Sequence, residues 1–273
     1  MVLWTPGFDD VEVIGNTGIV GAANPGTSLP VSGTTLNYGT VTEVISAANN
    51  TQDSWGIEVV LIETCASAVA PEGSVDILIG GATADVLISS LLAGGAYAGS
   101  ERRYFFPLHV PGGVRIAARI AHVSTVRTPR IFINLHGGSP PPFRVGRKVT
   151  TYGTKINNAR GQAVTPSASG AAASVTQMTA STSEDHFYFL PGFQIAVDTS
   201  VNLRNINLGI GVGAATEERI GTWWLRTDAA EHQSMHPTMG AWRHVPAGSR
   251  LTLLASNSGT NDSDHDGHVY AVS

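Results

Sequence analysis

The chain has 273 residues, 42% of them hydrophobic and only 14% charged, with a net charge of −5. That much apolar content builds real cores and excludes a disordered chain. The lack of a dense basic run argues against nucleic-acid binding, and no apolar run approaches the ~20 residues that insert across a bilayer.

Residues 1–30 read as an extended N-terminal arm rich in Gly, Pro and Asn. The arm carries Trp4, Phe8, Val11, Val13 and Ile14, an apolar set with no core of its own, and these are the candidate attachment residues. MVLWTPGFDD lacks the basic start and apolar core of a signal peptide, so synthesis in the host cytosol is expected.

From residue 31 the signals are β. GIEVVLIE at 56–63, VDILIGG at 75–81 and RIFINL at 130–135 are short Val- and Ile-rich runs bounded by turn residues. Cys65 follows the first run and reads as a buried small hydrophobe; a single cysteine excludes an intrachain disulfide. ADVLISSLLAG at 84–94 fits a short helix, but its counterpart EERIGTWWLRT at 217–227 alternates with β-type residues, so both are read as strands. YFFPLHV, PGG and VRIAARI read as strand, tight turn and strand, Pro setting the turn and Gly supplying positive φ. GGSPPP at 137–142 joins this region to a second one, residues 143–273, where AWRHV, PAG and SRLTLLA repeat the hairpin.

The repeat is the most specific signal in the chain. His-Val-Pro-x-Gly-x-Arg pairs His109 with His244, Pro111 with Pro246, Gly113 with Gly248 and Arg115 with Arg250, at an offset of 135. IGGATADVLIS at 79–89 matches VGAATEERIGT at 212–222, and RIFINL matches GHVYAV at 267–272. NYGT at 37–40 also matches TYGT at 151–154, at an offset of only 114, which predicts an inserted surface loop over 165–177. The expected fold is all-β: two tandem antiparallel β-sandwiches of jelly-roll type, 31–139 and 143–273, related by internal duplication.

Candidate chemistry is sparse. The motif's Pro and Gly build a turn and its Val enters a core, leaving His and Arg facing outward. HGGS at 136–139 has the form of an oxyanion loop, but no Gly-x-Ser-x-Gly elbow accompanies it. GIGVGAA at 209–215 fits Gly-x-Gly-x-x-Ala without the strand–turn–helix unit a dinucleotide needs. His232 and His236 are four apart in a Pro-interrupted loop, where solvated side chains are expected rather than zinc ligands. Asp262, Asp264 and Asp266 alternate before Gly267, as calcium-loop oxygens do, yet the twelfth position is Ser273 rather than Glu. An acidic turn is the plainer reading; calcium is the candidate metal, and no other cofactor is expected. Glu43, Glu58, Glu63 and Asp85 form no recognisable carboxylate pair, and no enzyme is expected.

VPGGVRIAARI and VPAGSRLTLLA are similar to hairpins in jelly-roll domains of tailed-phage tail, fibre and head-decoration proteins. With the turn-dense, lysine-poor composition and the arm, the chain resembles such a virion protein in style over both copies, and in motif over about fifteen residues of each. The resemblance implies a non-enzymatic virion subunit: head decoration, head fibre, or tail and baseplate component. It would assemble as a homo-oligomer, a trimer, with other virion proteins. The alternative is a carbohydrate- or receptor-binding sandwich, because Pro-Gly hairpins also occur in such modules. Trp223, Trp224 and Trp242, with His232 and His236, are the candidate ligand or interface residues: a surface glycan needs flat exposed rings, a subunit contact buries them.

Overall fold

The computed structural model describes residues 13–15, 26–62, 73–81, 84–93, 101–123, 125, 129–154, 161–195, 204–213, 217–227, 239–259 and 265–273. The described elements are strands throughout. The first nine are β1 (Val13–Gly15), β2 (Thr27–Ser28), β3 (Thr42–Ile45), β4 (Gly56–Ile62), β5 (Gly73–Ile79), β6 (Asp85–Ala93), β7 (Glu101–Phe106), β8 (Ile116–His122) and β9 (Arg130–His136). The second nine are β10 (Val149–Tyr152), β11 (Gln162–Val164), β12 (Ser174–Thr179), β13 (His186–Ile195), β14 (Arg204–Val212), β15 (Glu218–Thr227), β16 (Ala241–Val245), β17 (Leu251–Asn257) and β18 (His265–Val272). Among the described residues, no helix is long and apolar enough to cross a membrane.

Connectivity repeats strand for strand. In the first half, β9 carries β1 and β2 on one side and continues through β4 to β7; the facing order is β3, β8, β5, β6. In the second half, β18 carries β10 and β11 and continues through β13 to β16; the facing order is β12, β17, β14, β15. Each label in one half becomes its counterpart by adding nine. In each half five strands face four in this order, which makes a jelly roll.

The two jelly rolls share a sheet. β10 lies parallel to β6, with Val149 opposite Ile88, and this contact fuses one sheet of each half into a nine-stranded sheet. The all-β, jelly-roll-like fold expected from the sequence is what the structure shows; the sheet shared between the halves was not expected. The physical reason lies in β13 and β18, which bury both faces. Phe189, Phe193, Val269 and Ala271 enter the second half's core, while Tyr188, Leu190, Tyr270 and Val272 enter the first half's core with Tyr104, Phe106 and Leu108. A strand buried on both faces reads as an unbroken apolar run, as HVYAV does. Pro191 is tolerated in β13 because β16 pairs only as far as Phe189, leaving no ladder on that side among the described residues.

Three expectations change. Val13, Ile14 and residues 27–28 of the expected arm are strand residues paired with β9, with Ile14 opposite Leu135. Tyr38 of NYGT bridges to Ala121 beside β8, whereas Tyr152 of TYGT pairs with Val269 on β18, so that match is not a structural equivalence. Residues 165–177 are accordingly not an inserted loop: Ser167 bridges to Ser256, and Ser174 opens β12 opposite Ala255.

Candidate functional site

The repeated motif builds one device twice. Between β7 and β8, the Asp53 carboxylate accepts the Gly112 N–H at 2.8 Å and lies 3.5 Å from His109 Nε2. Between β16 and β17, Asp185 accepts the Ala247 N–H at 2.8 Å and lies 3.5 Å from His244 Nε2. The backbone N–H first, and the histidine after it, hold both carboxyls below the usual carboxylate range. Gly113 and Gly248 close the turns at φ of +73° and +84°, which glycine adopts without strain.

The motif arginines tie the same elements in each half. Arg115 Nε donates to Glu43 on β3 at 3.0 Å, and Arg250 Nε donates to Gln177 on β12 at 3.0 Å. Asn50 Nδ2 donates to the Pro111 carbonyl at 2.9 Å; the Thr182 hydroxyl donates to the Pro246 carbonyl at 3.1 Å. These hydrogen bonds fasten each turn to the strands beside it. Asp53 and Asp185 escaped the motif search because they lie more than fifty residues from their histidines. The signal that finds them is the internal alignment, which sets TQD at 51–53 against SED at 183–185.

The tryptophans are the exposed feature. Trp224 on β15 is 69% exposed, Met239 before β16 is 65% exposed and Trp242 on β16 is 50% exposed. Trp224 stands opposite Asn207 on the outer face of the third sheet. Trp223, one residue earlier, points inward and packs against the second core, its indole N–H donating to the Met239 carbonyl at 2.8 Å. Trp242 rests on Phe187, Tyr188 and Phe143, with ring centroids 5.9, 5.0 and 5.3 Å away. Sequence reasoning missed Met239 and these three supporting rings, which no spacing rule connects to Trp242.

The remaining candidates do not join this surface within the described residues. Asp266 is buried in β18, opposite Ala163 and Gln194, so it is a strand residue rather than part of a turn. Trp4, Phe8, Val11, Cys65, His232, His236, Asp262 and Asp264 lie outside the described residues. Among those described, no group of three His, Cys, Asp or Glu side chains is placed to hold a metal ion. The densest polar group is structural in form: Asp76 on β5 receives Arg119 through Nε and Nη2 at 3.0 and 2.9 Å, the Tyr38 hydroxyl at 3.0 Å and the Ser90 N–H at 2.9 Å.

No protein-family model matches the chain, and no curated protein matches it in sequence. Solved structures are similar to it at low identity. PNGF-II aligns at 8% identity and a TM-score of 0.37, over 85% of this chain and 59% of its own, so the chain spans little more than half of that protein. The STIV MCP, a viral capsid protein, aligns at 11% identity and a TM-score of 0.38, over 90% of this chain and 93% of its own. PNGase F, a glycosylasparaginase from Flavobacterium meningosepticum, aligns at 10% identity and a TM-score of 0.30, over 87% of this chain and 89% of its own. The sequence-based expectation that the chain is no enzyme is corrected on this finding, since enzymes stand among its structural neighbours.

Proposed function

We propose that the chain is a virion structural subunit, of the head surface, a head fibre, or the tail and baseplate, and that it works as a homo-oligomer built on trimeric symmetry. The observation that supports this reading is the β10–β6 junction. It joins two halves of the same strand order through one sheet, so a single chain already contains a lateral contact of the kind an assembly would use. Three chains would present six such units around an axis, and closed symmetric assembly is the usual outcome for soluble oligomers. Jelly rolls recur in capsid proteins. The test is light scattering and negative-stain imaging of the purified full chain. We expect a mass that is a multiple of 28.5 kDa and regular particles. A 28.5 kDa species at every concentration, with no ordered assembly, overturns the reading.

A second reading, a carbohydrate- or receptor-binding module, is favoured by Trp224, an exposed indole on the outer face of β15. Stacking of a sugar on such a ring would quench its fluorescence. Titration with a panel of host-surface glycans tests it, and an unchanged emission across the panel removes it.

A further inference from the structure

We infer that the β15–β16 side of the second half is the face that receives a second copy of this chain, whose β1 lies beside β15 as β10 lies beside β6. This rests on the reading of the chain as a self-assembling subunit and names the surface through which it assembles.

The two halves supply the argument, because equivalent positions have opposite fates. Leu92 on β6 pairs with Ser74 on β5, and its equivalent Trp224 on β15 pairs with Asn207 on β14. Tyr104 and Met239 each precede the motif histidine by five residues. Leu92 and Tyr104 are fully buried; the Leu92 N–H donates to Tyr270 of the second half, whose ring stands edge-on to Tyr104. Trp224 and Met239 are largely exposed. A face built like one that is closed inside the chain is therefore left apolar and open at the chain's far side.

Hydrogen-bonding capacity agrees. β6 is an interior strand of the nine-stranded sheet because β10 covers its edge, and the Thr151 hydroxyl donates to the Ser89 carbonyl there. Its equivalent β15 is ten residues long, pairs only with β14 among the described strands, and holds no Pro. A long edge with no second partner among the described strands is a template for another strand.

The occupant follows from the same correspondence. β10 pairs with the end of β18, Val149 opposite Val272; β1 pairs with the end of β9, Val13 opposite His136. β1 is thus the first half's version of the strand that covers β6. The contact β10 makes inside the chain at Ile88 becomes, between chains, a contact of Val13 near Gly221. Such a head-to-tail contact is heterologous and makes a ring when its rotation closes.

The test uses the full chain with Cys65→Ser as background. Val13→Cys and Thr222→Cys are made in separate chains, mixed and oxidised. Disulfide-linked dimers are expected in the mixture and not in either protein alone. Light scattering should show the Trp224→Asp chain reduced to a monomer, while Val175→Asp on the exposed β12 edge leaves the assembly intact. An oligomer that survives Trp224→Asp, with no mixed disulfide, overturns the inference and leaves the subunit reading standing. A parent chain that is monomeric at every concentration overturns both. Glycan binding lost in Trp224→Asp with the oligomer unchanged assigns the face to a sugar and overturns the inference as well.

Discussion

Tyr270 of the second half stands edge-on to Tyr104 of the first, ring centroids 5.5 Å apart at 79°, and both hydroxyls close on the backbone of Leu92. The Leu92 N–H donates to Tyr270 Oη at 3.0 Å, and the Tyr104 hydroxyl donates to the Leu92 carbonyl at 2.7 Å. This is where the shared sheet would otherwise leave buried backbone groups without partners. Replacing Tyr270 by Phe keeps the ring and strands that N–H, at a cost of about 1–3 kcal/mol. Denaturant unfolding measures it, and a change below about 0.5 kcal/mol would show that the junction does not depend on this hydroxyl.

Gly113→Ala and Gly248→Ala should each destabilise by about 1–2 kcal/mol, the cost of a Cβ in the left-handed region. A Cβ at either site meets nothing within 4 Å, so strain acts alone and the two values should agree. Unequal losses would mean that the two turns are not mechanically equivalent.

Asp76 neutralises Arg119 on a nearly covered face of β5 and also holds Tyr38 and the positive-φ residue Ser90. Asp76→Ala leaves the guanidinium without its partner and should cost about 3 kcal/mol, judged from buried pairs broken on one side. Thermal unfolding reads the loss; a Tm within a degree or so of the parent would contradict the network's role.

Burial holds His186 and His136 below the ordinary histidine range. The unfolded chain then binds protons that the folded chain refuses. Stability is fully present above the ordinary value near 6.5 and is lost as pH falls from there toward the lowered values. Tm should decline from about pH 7.5 to about pH 5.5, and His186→Gln should flatten that decline. An identical slope in the variant would assign the loss to other groups.

Trp224 and Trp242 should separate in a stability assay. Trp242→Ala removes contacts with Phe143, Phe187 and Tyr188 and should cost about 1–2 kcal/mol. Trp224→Ala, on an open face, should stay within about 0.5 kcal/mol in the monomer. A large loss from Trp224→Ala would mean that its ring supports the fold.

Much of this protein is determined locally. Val- and Ile-rich runs bounded by Gly and Pro make the strands, and the His-Val-Pro-x-Gly-x-Arg repeat sets two equivalent turns, because turn chemistry acts over a few residues. The apolar runs HFYFL and HVYAV announce burial on both faces. They do not say what lies against each face, and a search that treats the copies as separate assigns both faces to one sandwich. The tertiary structure decided that β10 would cover β6, that Tyr270 would reach Leu92 across 178 positions of chain, and that Trp224 would remain in the open where Leu92 is sealed. The reason is that an edge strand takes whichever partner long-range packing brings beside it, and a one-dimensional pattern of apolar residues records burial without recording the neighbour.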